Sequence, residues 1–496
     1  MPRSPVSLTA LLAALMAALM ASISGCRNSD QLATDGLSAC RLRGIDREVR
    51  CGSVRVPENP DAPDGPAIEV RFAVVPAVAR NKEADSVLVL AGGPGQAATR
   101  IAGQVMPLFA KLNARRDIVF IDQRGTGGSN ALECPVDETS LAESVEPARQ
   151  IERLQRCLKN LKSDLAQYAT WIAVRDFDAV RAKLNVSHFN LWGASYGTRA
   201  ALEYLRQFPD RVRTVVLDGV APPDMVLPAS FAVDAEAALD RMIAVCQQDS
   251  ACNRRHPDLA LRINALLTRA DAGFEITVQH PLTGAQETLR IDRGLLASLL
   301  RTPLYVPQLS ALLPYALAEA GRGDFNPLVA MTVALSGAVS ENFAFGMHLA
   351  VVCAEDQPLM TPALQNQARA SRFGRSMVDL YAGACEAIPI RPVPPGFAAV
   401  GPTAVPVLIL SGGLDPATPP RHGAAVAAKL GNARHLVAPN LAHGVSGQAC
   451  VPDLITRFIR NAAFDGIDDE CLRRLPAPRF FEPIVAPASH STGAPK

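Results

Sequence analysis

The chain carries almost no excess charge: 49 Lys and Arg against 48 Asp and Glu leave a formal +1 over 496 residues. No Lys/Arg cluster stands out on any segment, and nucleic-acid binding as a main function normally needs such a basic footprint, so no nucleic-acid partner is expected. His-Glu-x-x-His and paired Cys-x-x-Cys spacings are missing, which argues against a zinc enzyme, and neither a metal nor a cofactor is expected. There is no evident internal repeat. The apolar run near the N-terminus, Leu8 to Met20, falls short of a comfortable membrane span. What is present is 48% hydrophobic and 20% charged residues, the balance of a soluble globular protein with a sizeable core. The length allows one large domain with an insertion, or two or three ordinary domains.

Residues 1–25 have the pattern of a targeting segment, with Arg3 as its positive end. Ile23-Ser24-Gly25-Cys26 resembles the bacterial lipobox, in which the signal is cut just before the Cys and the thiol is acylated. An ordinary secretory signal that happens to contain a Cys is the alternative, and both imply export. The resemblance implies a lipid anchor at Cys26 and a place in the bacterial cell envelope, facing the periplasm or on the outer membrane; the alternative implies secretion. Arg27, not Asp, follows Cys26, so the resemblance carries no inner-membrane retention signal. Eleven cysteines less Cys26 leave ten, an even number suited to an oxidising compartment. Sequence proximity suggests Cys40–Cys51, Cys134–Cys157, Cys246–Cys252, Cys353–Cys385 and Cys450–Cys471, a minimum-loop pairing that sequence alone does not establish.

Residues 26–60 form a polar lead-in. Strand-like runs follow at Glu69–Val75, Ser86–Ala91, Asp117–Asp122, His188–Trp192, Thr214–Leu217, Val405–Leu410 and His435–Ala438. Most are continuous apolar runs, as in strands buried on both faces of a parallel sheet. Helical stretches such as Ala173–Leu184 and Tyr196–Gln207 lie between them, and the alternation predicts a mostly parallel, doubly wound α/β sheet. It stops near Ala221-Pro222-Pro223. Residues 228–400 are mainly helical (Phe231–Cys246, Leu259–Ala270, Arg293–Leu300, Val306–Ala320) and are expected to form an inserted cap. The core then divides into 61–227 and 401–483, and 484–496 is expected to be a disordered tail.

Gly193-Ala194-Ser195-Tyr196-Gly197 sits between a buried strand and a helix, the setting of a nucleophile elbow. Such a turn lifts the Ser Oγ above the sheet and demands tiny residues two before and two after. An oxyanion hole needs the N–H after the nucleophile, here Tyr196, and one from the loop after an earlier strand. Ala91-Gly92-Gly93-Pro94-Gly95 offers the second, with Gly93 the first choice and Gly92 the runner-up. The base should follow the last strand, where Asn440-Leu441-Ala442-His443-Gly444 provides His443. His422, His435 and His490 are less well placed. The acid should end an earlier strand: Asp415 does so after Val407–Leu410, and Asp218 after Val215–Leu217 is the alternative. Nucleophile, general base and imidazole orienter are the parts of a catalytic triad.

Leu90-Ala91-Gly92-Gly93-Pro94-Gly95, then Asp122-Gln123-Arg124-Gly125-Thr126-Gly127-Gly128-Ser129, then the elbow, resemble the proline iminopeptidase and tripeptidyl aminopeptidase group of α/β hydrolases. The resemblance runs from about 60 to 475. Proline iminopeptidases usually have His where this chain has Ala91, so the tripeptidyl-aminopeptidase branch is nearer. It implies the α/β-hydrolase fold, peptide substrates, and a serine aminopeptidase acting near a free N-terminus through an acyl-enzyme. Asp122–Ser129 lacks the Gly-Lys-Ser/Thr ending of a phosphate loop and reads as structural, with Arg124 an internal ion-pair partner. An aminopeptidase must hold an α-ammonium; Glu355, in a Cys-acid segment similar to one in that family, is the candidate anchor, with Asp356 next. A solvated acidic turn is the plain alternative. An esterase or lipase on the same triad, and a non-catalytic binding lipoprotein, are the rival functions.

Overall fold

The computed structural model describes residues 36–134, 141, 147–340, 343–389 and 391–483. The expected signal peptide, Cys26, His490 and the tail 484–496 lie outside these residues.

The strands are β1 (Ser38–Cys40), β2 (Val49–Pro57), β3 (Ala67–Val75), β4 (Ser86–Leu90), β5 (Ile118–Ile121), β6 (Phe189–Ala194), β7 (Val212–Asp218), β8 (Phe274–Gln279), β9 (Gln286–Ile291), β10 (Thr403–Gly412) and β11 (Gly431–Ala438). Nine form one sheet in the order β1-β2-β3-β5-β4-β6-β7-β10-β11. From β5 to β11 the neighbours run parallel, and β1, β2 and β3 join antiparallel. The parallel part is that of an α/β hydrolase. Every residue of β4 and β5 is buried, as continuous apolar runs in a two-sided sheet must be.

Helices Thr170–Lys183, Tyr196–Gln207 and Pro420–Leu430 cover one face, and Ala98–Val105 and Val451–Asn461 the other. Chain order reverses around β4, which lies between β5 and β6. The crevice at the carboxyl ends of the parallel strands is where such folds bind ligands.

Three features depart from the expected layout. The lead-in 26–60 contributes β1 and β2, which extend the main sheet and are tied together by Cys40–Cys51. The inserted region has its own core, built from helices Ala229–Gln248, Leu259–Ala272, Arg293–Arg301 and Pro307–Gly321, but also holds the two-stranded sheet β8–β9. Helix Phe345–Glu355, expected in the cap, is buried from Gly346 onward and packs with Leu132, Tyr168 and Tyr196 of the core. A helix apolar all round has no solvent side and must be covered on all faces. Cys353–Cys385 joins it to helix Gly374–Cys385, and all five disulfides follow chain order.

Candidate active site

Ser195 stands at the turn between β6 and the helix Tyr196–Gln207 with φ 55° and ψ −124°. That conformation is costly for a residue with a side chain. The turn is tight enough to exclude side chains on both sides: a Cβ on Gly193 would stand 2.3 Å from the Gly197 carbonyl oxygen, and one on Gly197 2.1 Å from that of Leu90. The Ser195 N–H donates to the Asp218 carbonyl at 2.9 Å, and the Thr198 hydroxyl donates to the Ser195 carbonyl at 2.6 Å. The serine is thus clamped to the end of β7.

His443 and Asp415 arrive on the loops after β11 and β10, and His443 Nδ1 lies 2.8 Å from Asp415 Oδ2. Asp415 is buried, and its other bonds come from the N–H groups of Ala417 and Thr418 and from the Thr418 hydroxyl, each at 2.8 Å. Burial alone would raise the Asp415 pKa, but the charge and hydrogen bond of His443, with the backbone donors, hold it below the usual carboxylate value. Burial alone would lower that of His443; the carboxylate of Asp415 outweighs it, so the imidazole is more basic than usual. Asp218, the alternative acid, instead accepts from the N–H groups of Val445 and Ser446, at 3.0 and 2.7 Å. It holds the loop that carries His443 and makes no hydrogen bond to the ring. Ser195 and His443 make no hydrogen bond with each other in this resting arrangement, a bond that in such sites often tightens only with substrate bound.

The glycine loop after β4 lies against the nucleophile: a Cβ on Gly92 would sit 3.3 Å from that of Ser195. The Gly92 N–H is taken by Gln96 Oε1 at 3.2 Å, which favours Gly93 as the second oxyanion donor beside Tyr196. The start of helix Phe345–Glu355 supports this loop. The Ala344 N–H donates to the Gly95 carbonyl at 2.8 Å, and Gln96 pairs with Phe343. The Tyr196 hydroxyl is fixed by Gln123 and Thr170, at 2.8 and 2.6 Å.

Glu355 does not face the site, which corrects the amine-anchor expectation. It is 0% exposed, with Oε1 accepting from the Thr170 N–H at 2.6 Å and Oε2 from Arg199 Nη1 at 3.1 Å. Asp356 is 1% exposed and accepts from the same Arg199 nitrogen at 2.8 Å. The physical reason is the helix itself, whose burial carries both acids inward, onto a cation one turn beyond the nucleophile. Burial pushes the Glu355 carboxyl up to about 7 despite Arg199. The plain alternative of a solvated acidic turn is equally excluded. Arg124 forms the expected internal pair, its Nε 2.6 Å from Asp176. His422 pairs with Asp234 and His435 with Ser411, at 2.8 and 2.9 Å, and neither ring bonds to Asp415.

Three residues of the site went unseen in the sequence. His348 reaches the glycine loop from the buried helix. Tyr305 sets its ring edge-on to the His443 imidazole, centroids 5.3 Å apart, and Arg301 donates to the Tyr305 hydroxyl at 3.1 Å. No short motif marks them, because what brings them to the site, Pro94 for His348 and His443 for Tyr305, is distant in the chain. No group of three or more His, Cys, Asp or Glu suited to a metal occurs among the described residues.

Residues 85–262 match the α/β hydrolase fold family, and residues 369–471 match the TAP-like protein family. The chain is similar to the serine protease Hip1 of Mycobacterium tuberculosis, 27% identical over 446 residues, covering 82% of this chain and 84% of that protein. It is also similar to the tripeptidyl aminopeptidase of Streptomyces lividans, 29% identical over 197 residues, or 36% of each chain. A third relative is the carboxylesterase B of Mycobacterium tuberculosis, 27% identical over 227 residues, 42% of this chain and 43% of that one.

Proposed function

Because the chain is a serine hydrolase of the α/β-hydrolase type, we propose that it is an exported aminopeptidase and that Ser195, His443 and Asp415 are its catalytic triad. The contact between His443 Nδ1 and Asp415 Oδ2, 2.8 Å long beside a strained Ser195 turn, carries the triad reading. Ser195 Oγ attacks the scissile carbonyl carbon while His443 Nε2 takes its proton, and the N–H groups of Gly93 and Tyr196 receive the negative charge on the oxygen. The C–N bond then breaks, the imidazolium returns the proton to the leaving amine, and an acyl-serine remains. Water repeats the sequence: His443 takes one proton, the hydroxyl adds to the acyl carbon, and Ser195 regains its proton as the acid leaves.

The likeness to a tripeptidyl aminopeptidase over 197 residues, and the TAP-like match over residues 369–471, support action near a free N-terminus. The esterase reading is favoured by one relative, the carboxylesterase, over 227 residues. Turnover of peptide anilides with free and with blocked N-termini, against short acyl esters, separates the two. Ser195→Ala should abolish labelling by a fluorophosphonate; persistent labelling would remove Ser195 from the mechanism.

Five disulfides support export, since such bonds persist in oxidising compartments. We propose a mature chain that begins with acylated Cys26 and is anchored in the cell envelope. Intact-mass analysis should show the lipid, and Cys26→Ser should release the protein or leave its signal uncleaved. An unacylated Cys26 leaves secretion alone.

A further inference from the structure

Among the described residues, the carboxylates named so far are engaged: Asp415 by His443, Asp218 by backbone, Asp234 by Arg421 and His422, Glu355 and Asp356 by Arg199. The charge left for a substrate has the opposite sign. Arg301 ends the cap helix Arg293–Arg301, and Tyr305 closes the following turn, Thr302–Tyr305. The Arg301 guanidinium carbon lies 5.7 Å from the Tyr305 ring and 5.9 Å from the ring of Phe231, another cap residue. Its Nη1 donates to the Tyr305 hydroxyl, and the Tyr305 ring in turn abuts His443. The Tyr381 hydroxyl meets His348, which reaches the glycine loop. Among the described residues, no carboxylate lies within ion-pair distance of it.

A half-buried cation without an anion is unfavourable: it has lost part of its hydration and gained no counter-charge. Two rings at this distance offset only part of that loss. They also limit the rotamers of the side chain. A guanidinium held this way keeps most of its five N–H donors in a fixed fork, the geometry that matches a carboxylate. Resting on the reading of Ser195 and His443 as the reactive centre, we propose that Arg301, between Phe231 and Tyr305, is a carboxylate-binding subsite for an anionic group of the substrate. That group is either an acid within the acyl part or the free C-terminus of a short leaving peptide. The same cation disfavours substrates with a positive group there.

Two substrate pairs test this and separate the sources. Glutaryl and butyryl esters of one phenol place the carboxylate on the acyl side; short peptides with a free or an amidated C-terminus place it on the leaving side. A charge-assisted bond supports a preference of about ten- to a hundredfold in kcat/KM for the anionic member of at least one pair. Arg301→Gln should bring that ratio toward one, Arg301→Lys should keep part of it, and added salt should shrink it. A ratio near one in both wild-type pairs, or one that Arg301→Gln leaves unchanged, overturns the subsite. Failure of the aminopeptidase reading looks different, because esters would still be turned over and would still report the ratio. Should no ester be hydrolysed, calorimetric titration of Ser195→Ala and of Ser195→Ala/Arg301→Gln with glutarate reads the subsite without catalysis. Equal binding or none overturns it; weaker binding to the double variant upholds it.

Discussion

His348 Nδ1 lies 3.1 Å from the Pro94 carbonyl oxygen, across 254 residues of sequence, and ties a buried helix to the glycine loop over the nucleophile. A carbonyl oxygen only accepts, so Nδ1 carries the proton. Nε2 then accepts from the Tyr381 hydroxyl at 2.7 Å. Burial lowers the pKa of this ring to about 4, against a smaller opposing effect from Pro94, and the ring stays neutral as the two bonds require. His348→Leu should lower kcat and weaken binding of a boronate that mimics the oxyanion, with less change in KM. Loss of thermal stability alone, with boronate affinity intact, would make His348 structural. The depressed pKa also sets a sign for stability. Below about pH 6.5 the unfolded ring takes a proton that the folded ring refuses. Stability should therefore fall from about pH 6.5 toward 4, with a gentler slope in His348→Leu.

His443 must be neutral to accept the serine proton, and Asp415 makes it more basic than an ordinary imidazole. The acid limb of kcat/KM should thus lie above the ordinary histidine value of ~6.5. Asp415→Asn should shift that limb to lower pH and cost up to roughly ten-thousand-fold in kcat. Asp218→Asn should act mainly on the loop at Val445 and Ser446, with a milder rate loss and about 1–3 kcal/mol of stability from the disturbed buried bonds. Equal rate losses would reopen the assignment of the acid.

The Ser195 backbone is stressed by its own side chain. Ser195→Gly should abolish turnover yet raise the unfolding free energy, since relief of such a conformation is worth about 1–3 kcal/mol before the added chain entropy of glycine is subtracted. Chemical denaturation of wild type and variant measures the difference. A less stable glycine variant would mean that the turn is relaxed.

Arg199 bridges two buried acids, so Arg199→Met should be among the most destabilising substitutions in the core, at about 3–5 kcal/mol. Glu355→Gln should lower peptide and ester turnover in parallel, because Glu355 acts through packing beneath the nucleophile helix. A loss confined to peptides with free N-termini would return Glu355 to the substrate.

How much of this could be read beforehand depended on range. The elbow was legible because its demands are local: a strand, a sharp turn and two glycines whose neighbours forbid a Cβ. The parallel core was legible because strands covered on both faces are apolar throughout. β2 was not, since Val49–Pro57 is an edge-side strand that mixes arginines and valines, and only pairing with β3 along its length reveals it. The two strand-ending acids could be ranked but not separated in function, and neither could Gly92 and Gly93. Asp218 and Asp415 differ in what the end of β11 brings to each, amides to one and an imidazole to the other.

By itself the sequence determined the nucleophile turn, the parallel sheet and the short list of triad candidates, because steric fit and apolar continuity act over a few residues; the chain-order disulfides it only suggested. Only the tertiary structure decided where the charges went. It buried Glu355 and Asp356 against Arg199, brought His348 to Pro94, and left Arg301 near two rings, one of which meets His443. Coulomb energy away from water changes steeply over a few ångströms, and those ångströms are set by how helices far apart in the chain pack together.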